Sequence, residues 1–342
     1  MKEKILIVSG FLLSFGIGFM IGQIVLIKTQ KPNQIVKQIV DRSLDKYTID
    51  NLAKANIPAS KIQIESVIKE YPNFTSYLFS YNFDPSFAEA TAGKADSFKK
   101  VTGMINIPKD IPAEGAPILA MIRGYVNVKD YFTGNGTYNS SFFFANNGFI
   151  TISPDFLGYG GSDKEADNIF ESRFQTYTTE MVLLNSFDSV EKWDHKNVEI
   201  WAHSNGGNIA LTTLEVTGKT YPTTLWAPVS SSFPFSILYY SDETDDSGKS
   251  LRKELSKFEE VYDTDLYSLS NYLTYIKAPI ELNQGTADEA VPVYWSDNLA
   301  KELKGQGLIV NYNIYKGADH NMEPGWNTVI QKDLQFFKDN LK

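Results

Sequence analysis

A long apolar stretch opens the chain. Residues 5–27 carry no charged side chain, and lysines flank the stretch on both sides. As a helix rising about 1.5 Å per residue, the stretch would span roughly 34 Å, enough to cross a hydrocarbon core of about 30 Å. A cleavable signal peptide has a shorter apolar region, of about 7–15 residues, and ends in a small-x-small site that is missing here. The pattern predicts an uncleaved N-terminal transmembrane helix over residues 1–28.

Small residues recur at every fourth position of the predicted anchor, at Gly10, Ser14, Gly18 and Gly22. This spacing places them on one helix face, where two transmembrane helices can approach closely, although glycine is common in membrane helices in any case. Self-association through this face is therefore one of two open interpretations. Lysines at both ends leave the orientation open. Because an N-terminal anchor more often carries an external domain, we expect a single-pass membrane protein whose main domain is extracytoplasmic.

Polar and mixed sequence follows the anchor. Short helical patterns occur at residues 35–44 and 61–70, and prolines at positions 32 and 58 interrupt them. We interpret residues 29–74 as a polar stalk with a short helical extension.

Strand and helix patterns alternate from residue 75 to residue 342. Alternating runs at residues 76–81 and 101–106 predict an antiparallel pair of strands. Buried strands are then predicted at residues 117–122, 149–152, 198–201, 224–226, 280–282 and 309–314, and helices at residues 140–146, 172–193, 208–216, 294–303 and 328–340. This order predicts an α/β domain with a mostly parallel sheet and helices on both faces. A functional site is then expected at the carboxyl ends of the strands.

One segment interrupts the alternation. Residues 230–271 contain several aromatic side chains and a charged run, and they lie between two predicted strands. We interpret this segment as a lid-like insertion whose aromatic residues give a partly apolar pocket. Extra helices packed on the rim of the domain are the simpler alternative.

Composition narrows the possible chemistry. The net charge is −9, and no basic cluster indicates nucleic-acid binding. The chain has no cysteine, which excludes disulfides, a thiol nucleophile and cysteine metal sites. It has 3 histidines and no short His-x-x-x-His spacing, so we expect neither a metal ion nor an organic cofactor.

The stretch around Ser204 combines a strand and a helix. A β-prone run at residues 198–201 ends in small residues around the serine, and a helical pattern follows at residues 208–216. This is the pattern of a nucleophile elbow, a sharp turn that exposes a serine hydroxyl. Small residues are needed two positions before and after the serine; here they are Ala202 and Gly206, so Ala202 departs from the usual glycine by one methyl. A glycine-rich turn without chemistry is the alternative.

A serine hydroxyl needs a general base, and the base needs an acid to orient it. In this arrangement the chain order is serine, acid, histidine. His195 precedes the serine, and the ring of His203 is poorly placed within the turn to reach the hydroxyl, which leaves His320 as the base. Asp288 follows the strand at residues 280–282 and is the expected acid.

Other roles for these residues stay open. Glu289 is the next candidate acid, and Asp319 is less favoured because it is so close to His320 in sequence. The alternative role for Asp288 is to cap a turn or a helix.

A tetrahedral intermediate carries a negative oxygen that two N–H donors stabilise. The backbone N–H of Asn205, at the start of the elbow helix, is one expected donor. The second is expected from the loop after residues 117–122, where the N–H or hydroxyl of Tyr125 is the candidate. Many such enzymes have His-Gly in this loop, so Arg123 is another departure.

Four motifs in this order resemble the α/β-hydrolase fold and, more narrowly, the catalytic domain of the prolyl oligopeptidase family. They are residues 153–163 (SPDFLGYGGSD), 202–206 (AHSNG), 285–292 (GTADEAVP) and 317–320 (GADH). The resemblance covers about residues 76–342 and implies a serine hydrolase, with both peptidases and esterases among the relatives. The chain leaves no room for the large N-terminal β-propeller of many of those peptidases, so its substrate gating is not implied.

We therefore expect a membrane-anchored serine hydrolase that cleaves a short peptide or a small ester through an acyl-enzyme on Ser204. The alternative is a non-catalytic hydrolase-like domain that binds a ligand or partner, which the departures at Ala202 and Arg123 favour.

Overall fold

The computed structural model describes residues 41–87 and 98–342, and residues 42–342 form one compact unit. The predicted anchor at residues 1–28, with its face of Gly10, Ser14, Gly18 and Gly22, lies outside the described residues. Within the two described ranges, no helix is both long enough and apolar enough to cross a membrane. The anchor and the extracytoplasmic location stay predictions.

Nine strands in the described part of the chain form one sheet. In chain order they are β1 (Gln63–Glu70), β2 (Phe74–Phe83), β3 (Lys99–Pro108), β4 (Ala116–Ile122), β5 (Ile150–Pro154), β6 (Trp193–His203), β7 (Thr223–Trp226), β8 (Ile280–Gly285) and β9 (Val310–Tyr315). Their spatial order is β1-β2-β3-β5-β4-β6-β7-β8-β9. The pairings from β5 to β9 are parallel. Those that join β1, β2, β3 and β5 are antiparallel. The predicted, mostly parallel sheet is confirmed.

Helices cover both faces of this sheet. They are α1 (Ile49–Lys54), α2 (Tyr138–Asn146), α3 (Ile169–Asn185), α4 (Asn205–Thr217), α5 (Phe235–Leu238), α6 (Lys249–Glu259), α7 (Val293–Gly305) and α8 (Trp326–Asn340). Alternation along β4 separates two cores, because Ile118 and Ala120 join the core that includes α3 and α4. Leu119 and Met121 join the core that includes α2 and α8. The helix predicted over residues 172–193 is too long, since α3 ends at Asn185 and β6 begins at Trp193.

The segment predicted as a stalk contains the largest error of the sequence analysis. Residues 61–70 were predicted to be helical, but Gln63–Glu70 form strand β1, which pairs antiparallel with β2. Its β-branched residues Ile64, Val67 and Ile68 suit a strand, and a neighbouring strand edge outweighs a weak helical pattern. Upstream, Tyr47 and Leu52 are buried in the main core. The compact unit therefore starts at Arg42 rather than at residue 75, while most of the helical pattern at residues 35–44 lies outside the described residues.

The insertion at residues 230–271 packs against α3. Phe233 and Phe258 contact Phe170, with ring centroids 6.0 and 4.8 Å apart, and Tyr267 stacks on Phe174 at 5.0 Å. These aromatic side chains are buried in the main core. The simpler alternative, extra helices packed on the domain, therefore describes this part of the insertion.

Burial of Glu180 predicts a stability that falls as the pH rises. Neither carboxylate oxygen has a hydrogen-bonding partner among the described residues, and burial raises the pKa of Glu180 from 4.5 to about 8. The folded protein keeps a proton that the unfolded chain loses, so its stability is full below about pH 4.5 and is lost as the pH rises through 8. Glu180→Gln should flatten this slope by about 1.4 kcal/mol per pH unit between pH 4.5 and about 8.

Urea denaturation at mildly acidic and mildly alkaline pH measures this difference. The exposed Glu191 gives the matched control, since Glu191→Gln should keep the slope of the unchanged protein. An unaltered slope in Glu180→Gln would show that Glu180 is ionised in the fold.

Candidate active site

Ser204 occupies the turn between β6 and α4 in a conformation that few residues other than glycine adopt. Its φ is 56° and its ψ is −122°. Non-glycine residues rarely hold a positive φ, and such strain concentrates at functional sites. The turn leaves the serine partly exposed at the carboxyl end of β6, where a functional site is expected in a parallel sheet.

Glycines let the elbow approach its neighbours. A Cβ on Gly206 would lie 2.1 Å from the carbonyl oxygen of Ile122, and a Cβ on Gly207 would lie 2.4 Å from the Cβ of Pro228. Real Cβ atoms do not come this close, so both positions require glycine. Ala202 is fully buried in the main core, which accommodates the extra methyl.

Backbone hydrogen bonds hold the strained turn. The Ser204 N–H donates to the carbonyl of Trp226 at 2.9 Å. The Ser204 carbonyl accepts from the N–H groups of Gly207 and Val229, each at 2.9 Å. These hydrogen bonds join the turn to α4, to β7 and to the segment after β7. They therefore fix the backbone position from which the Ser204 side chain extends.

The loops after β8 and β9 bring Asp288 and His320 together. The Nδ1 of His320 lies 2.9 Å from Oδ2 and 3.1 Å from Oδ1 of Asp288. A carboxylate only accepts, so Nδ1 carries a proton and the Nε2 of the neutral ring keeps its lone pair. The His320 side chain is 21% exposed, whereas that of Asp288 is fully buried.

The remaining candidates have other surroundings. Asp319 accepts hydrogen bonds from N–H groups within its own turn. Glu289 is exposed, and His195 is exposed at the beginning of β6. Among the acids weighed from the sequence, Asp288 is thus the one that contacts His320.

Asp288 is held by three further donors. Gln284 Nε2 donates to Oδ2 at 3.0 Å, and the N–H groups of Ala290 and Val291 donate to Oδ1 at 2.9 and 2.8 Å. Burial by itself would raise the pKa of Asp288, but the hydrogen bonds with His320, Val291 and Ala290 outweigh it and hold the pKa below its ordinary value. The carboxylate is therefore ionised at neutral pH.

His203 contacts both the backbone and the ring of His320, and this contact was not predicted from the sequence. Its Nε2 lies 2.9 Å from the carbonyl oxygen of His320, and the two ring centroids are 4.6 Å apart. Since a carbonyl accepts, Nε2 carries the proton and donates. Burial and the neighbouring His320 lower the pKa of His203 to about 4, so the ring is neutral at physiological pH. Its position beside Ser204 was the sole signal in the sequence.

Two backbone N–H groups lie beside the elbow, those of Tyr125 and Asn205. Among the described residues, neither the Tyr125 N–H nor the Asn205 N–H donates a hydrogen bond. A Cβ on Gly124 would lie 2.8 Å from the Cβ and 3.4 Å from the Oγ of Ser204, so the loop after β4 lies directly against the serine. Tyr125 is 77% exposed, so of the two donors predicted on this residue the backbone N–H is held more firmly in place than the hydroxyl.

A cavity of about 150 Å³ opens beside these N–H groups. It is lined by the loops after β4 and β5, by α3 and by the first turns of α4, including Arg123, Tyr159, Arg173 and Asn205. None of the residues lining it in the described structure comes from the insertion at 230–271. The aromatic residues of the insertion therefore do not shape this cavity, contrary to the expectation from sequence.

Together the elbow, the parallel sheet and the paired aspartate and histidine define the class, a serine hydrolase of the α/β-hydrolase fold. Residues 136–342, more than half of the chain, match the model of the prolyl oligopeptidase family, Peptidase_S9. The chain belongs to this family. No curated protein sequence matches it.

Solved structures of similar fold include both esterases and peptidases. The acetyl xylan esterase from Paenibacillus sp. R4 has a TM-score of 0.62 and 17% identity, over 89% of this chain and 96% of that chain. Acetyl xylan esterase 1 from Thermoanaerobacterium sp. JW/SL YS485 has a TM-score of 0.56 and 14% identity, over 87% and 93%. The Pyrococcus horikoshii acylaminoacyl peptidase has a TM-score of 0.54 and 14% identity, over 84% of this chain and 51% of that chain. These similarities show the fold, and membership of the prolyl oligopeptidase family makes the protein a hydrolase.

Removal of the His203 donor should slow catalysis. His203→Phe keeps a ring but leaves the partly buried His320 carbonyl without this donor, which costs about 1–3 kcal/mol for an unsatisfied group. If about 1.4 kcal/mol of this cost reaches the transition state, kcat falls about tenfold. His203→Gln supplies an amide donor and should lose less. Ester turnover measures both variants, and equal rates for the two would contradict a role for the hydrogen bond.

A methyl group at Gly124 should displace the serine. Because its Cβ would lie 2.8 Å from the Ser204 Cβ, Gly124→Ala must shift the loop or the elbow. A displacement of about 1 Å in a reacting group can cost about 10²-fold in rate, which is the fall in kcat expected here. Gly305→Ala is the matched control, since a Cβ there meets nothing within 4 Å. Equal kcat values for the two variants would contradict the close approach.

Proposed function

We propose that Ser204, His320 and Asp288 form the catalytic triad of this hydrolase. The observation that carries the proposal is the His320–Asp288 contact at 2.9 Å at the strand edge where Ser204 occupies its strained turn. The Asp288 carboxylate accepts from Nδ1, so the neutral form of the His320 ring has its lone pair on Nε2. That nitrogen is the base that a serine hydroxyl requires.

The reaction proceeds in two acyl-transfer steps. His320 takes the hydroxyl proton as Ser204 Oγ attacks the substrate carbonyl, and the oxygen of the tetrahedral intermediate receives hydrogen bonds from the Tyr125 and Asn205 N–H groups. His320 then gives the proton to the leaving group, which departs and leaves an acyl-enzyme. Water repeats the sequence and releases the acid. The ionised Asp288 stabilises the imidazolium formed in each step.

We propose a small ester as the first substrate class. The cavity of about 150 Å³ beside the two N–H groups accommodates a short acyl group. The esterases with similar structures match this chain over nearly their full length, whereas it spans 51% of the acylaminoacyl peptidase. A short peptide is the second candidate, because the chain belongs to the prolyl oligopeptidase family.

A fluorophosphonate probe tests the nucleophile. We expect the native protein to be labelled and Ser204→Ala not to be, and Ser204→Ala should lower kcat by roughly 10⁴-fold or more. Asp288→Asn should lower kcat by about 10³–10⁴-fold with a folded protein, because the wrong tautomer of His320 is then favoured. Labelling of the native protein no stronger than that of a heat-denatured sample would favour the alternative, a non-catalytic ligand-binding domain.

Paired chromogenic substrates test the substrate class. We expect p-nitrophenyl acetate to be turned over faster than aminoacyl p-nitroanilides. Efficient anilide turnover that disappears in Ser204→Ala would favour the peptidase instead.

A further inference from the structure

The Arg123 side chain holds a peptide group next to the proposed nucleophile. Its guanidinium donates from one nitrogen to the carbonyl of Gly124 at 2.9 Å and from another to the carbonyl of Asp155 at 2.8 Å. Arg123 is only 5% exposed. One cation thus links the loop after β4 to the loop after β5.

Aromatic rings enclose this guanidinium. Its Cζ lies 4.1 Å from the ring centroid of Tyr159, 4.7 Å from that of Tyr131 and 5.3 Å from that of Phe156. Cations over aromatic faces gain further attraction where water is excluded. Tyr131 in turn donates to Asp155 Oδ1 at 2.7 Å, so the enclosure is itself hydrogen-bonded. The position of Arg123 is therefore determined on several sides.

The contact with Gly124 matters because of what lies on the same peptide group. The carbonyl of Gly124 and the N–H of Tyr125 belong to one planar unit, and this peptide bond is trans. In a trans peptide the C=O and the N–H point in opposite directions. Holding the carbonyl therefore sets the direction of the Tyr125 N–H, which has no other hydrogen bond among the described residues.

We propose that Arg123 is a positioning residue for the oxyanion hole: it orients and polarises the Gly124–Tyr125 peptide so that the Tyr125 N–H points at the developing oxyanion. Hydrogen bonds from a charged donor are about twice as strong as neutral ones, and hydrogen bonds in a chain strengthen one another. A cation bonded to the carbonyl thus makes the N–H of the same peptide a better donor. This inference rests on the proposed function, since it assigns a role in the reaction of Ser204.

The choice of arginine follows from the two carbonyls. A planar guanidinium bonds the Gly124 and Asp155 carbonyls at once, whereas a lysine ammonium is a single point charge. Arg123→Lys keeps the charge but loses this fork. Arg123→Ala removes both and leaves a space that free guanidinium fills.

The experiment compares two inhibitors of the same size. A trifluoromethyl ketone is attacked by the Ser204 Oγ, with the hydroxyl proton passing to His320 and the carbonyl oxygen becoming the negative oxygen of a hemiketal. The matching methyl ketone binds without this addition. We expect Arg123→Lys to lower the affinity for the fluorinated ketone by about 10–100-fold. Complete removal of one oxyanion donor lowers kcat by up to about 10³-fold, so this loss is within the expected range. Affinity for the methyl ketone should change little.

Turnover and rescue add independent readouts. We expect Arg123→Lys to lower kcat with little change in KM, and free guanidinium, far below denaturing concentrations, to restore part of the kcat of Arg123→Ala. Arg252→Lys, on the exposed face of α6, is the matched control and should behave as the unchanged protein. Circular dichroism checks that each variant is folded; if Arg123→Ala is not, the ratio of the two ketone affinities in Arg123→Lys decides alone.

The possible results separate the two proposals. If Arg123→Lys leaves the ratio of the affinities for the two ketones unchanged, the proposed role of Arg123 is overturned. If the unchanged protein neither hydrolyses esters or anilides nor reacts with the fluorophosphonate, the proposed function itself is wrong.

Discussion

The positive-φ turn at Ser204 is the constraint on which the rest of the site depends. A serine in this conformation is stable only where hydrogen bonds and close packing hold it. Here the Trp226 and Val229 backbones provide the hydrogen bonds, while Gly206 and Gly207 permit the close packing. The parallel sheet places these segments side by side, so the fold maintains the strain that exposes the hydroxyl.

Polar groups around the elbow act largely through backbone atoms. His203 donates to the His320 carbonyl and Arg123 donates to the Gly124 carbonyl, so neither side chain needs to touch a substrate to affect the reaction. Arg123, which from the sequence appeared as a departure that favoured a non-catalytic domain, thus has a physical role that is compatible with catalysis. Ala202 is compatible as well, because the core accommodates its methyl.

The errors of the sequence analysis share one cause. The segment at residues 61–70 has a weak local preference, and its strand exists because the edge of β2 offers hydrogen bonds. The aromatic residues of the insertion at 230–271 were expected around a pocket, but Phe233, Phe258 and Tyr267 pack on α3 instead. In both cases the deciding contact lies outside the segment itself, in the next strand for residues 61–70 and in α3 for the insertion. The hydrophobic periodicity of a segment carries no information about such a contact.

Local pattern and chain order by themselves determined the α/β alternation and the elbow at Ser204. They also made His320 the candidate base and put Asp288 ahead of Glu289 as the candidate acid, because these choices follow from residue type, spacing and the order of the strands. The tertiary structure alone decided which acid contacts the histidine, which face of His320 the His203 ring supports, and which peptide the Arg123 cation holds. The first two contacts, and the contact of Arg123 with the Asp155 carbonyl, join residues that belong to different strands or to the loops after them. Only folding of the sheet brings those loops to one edge.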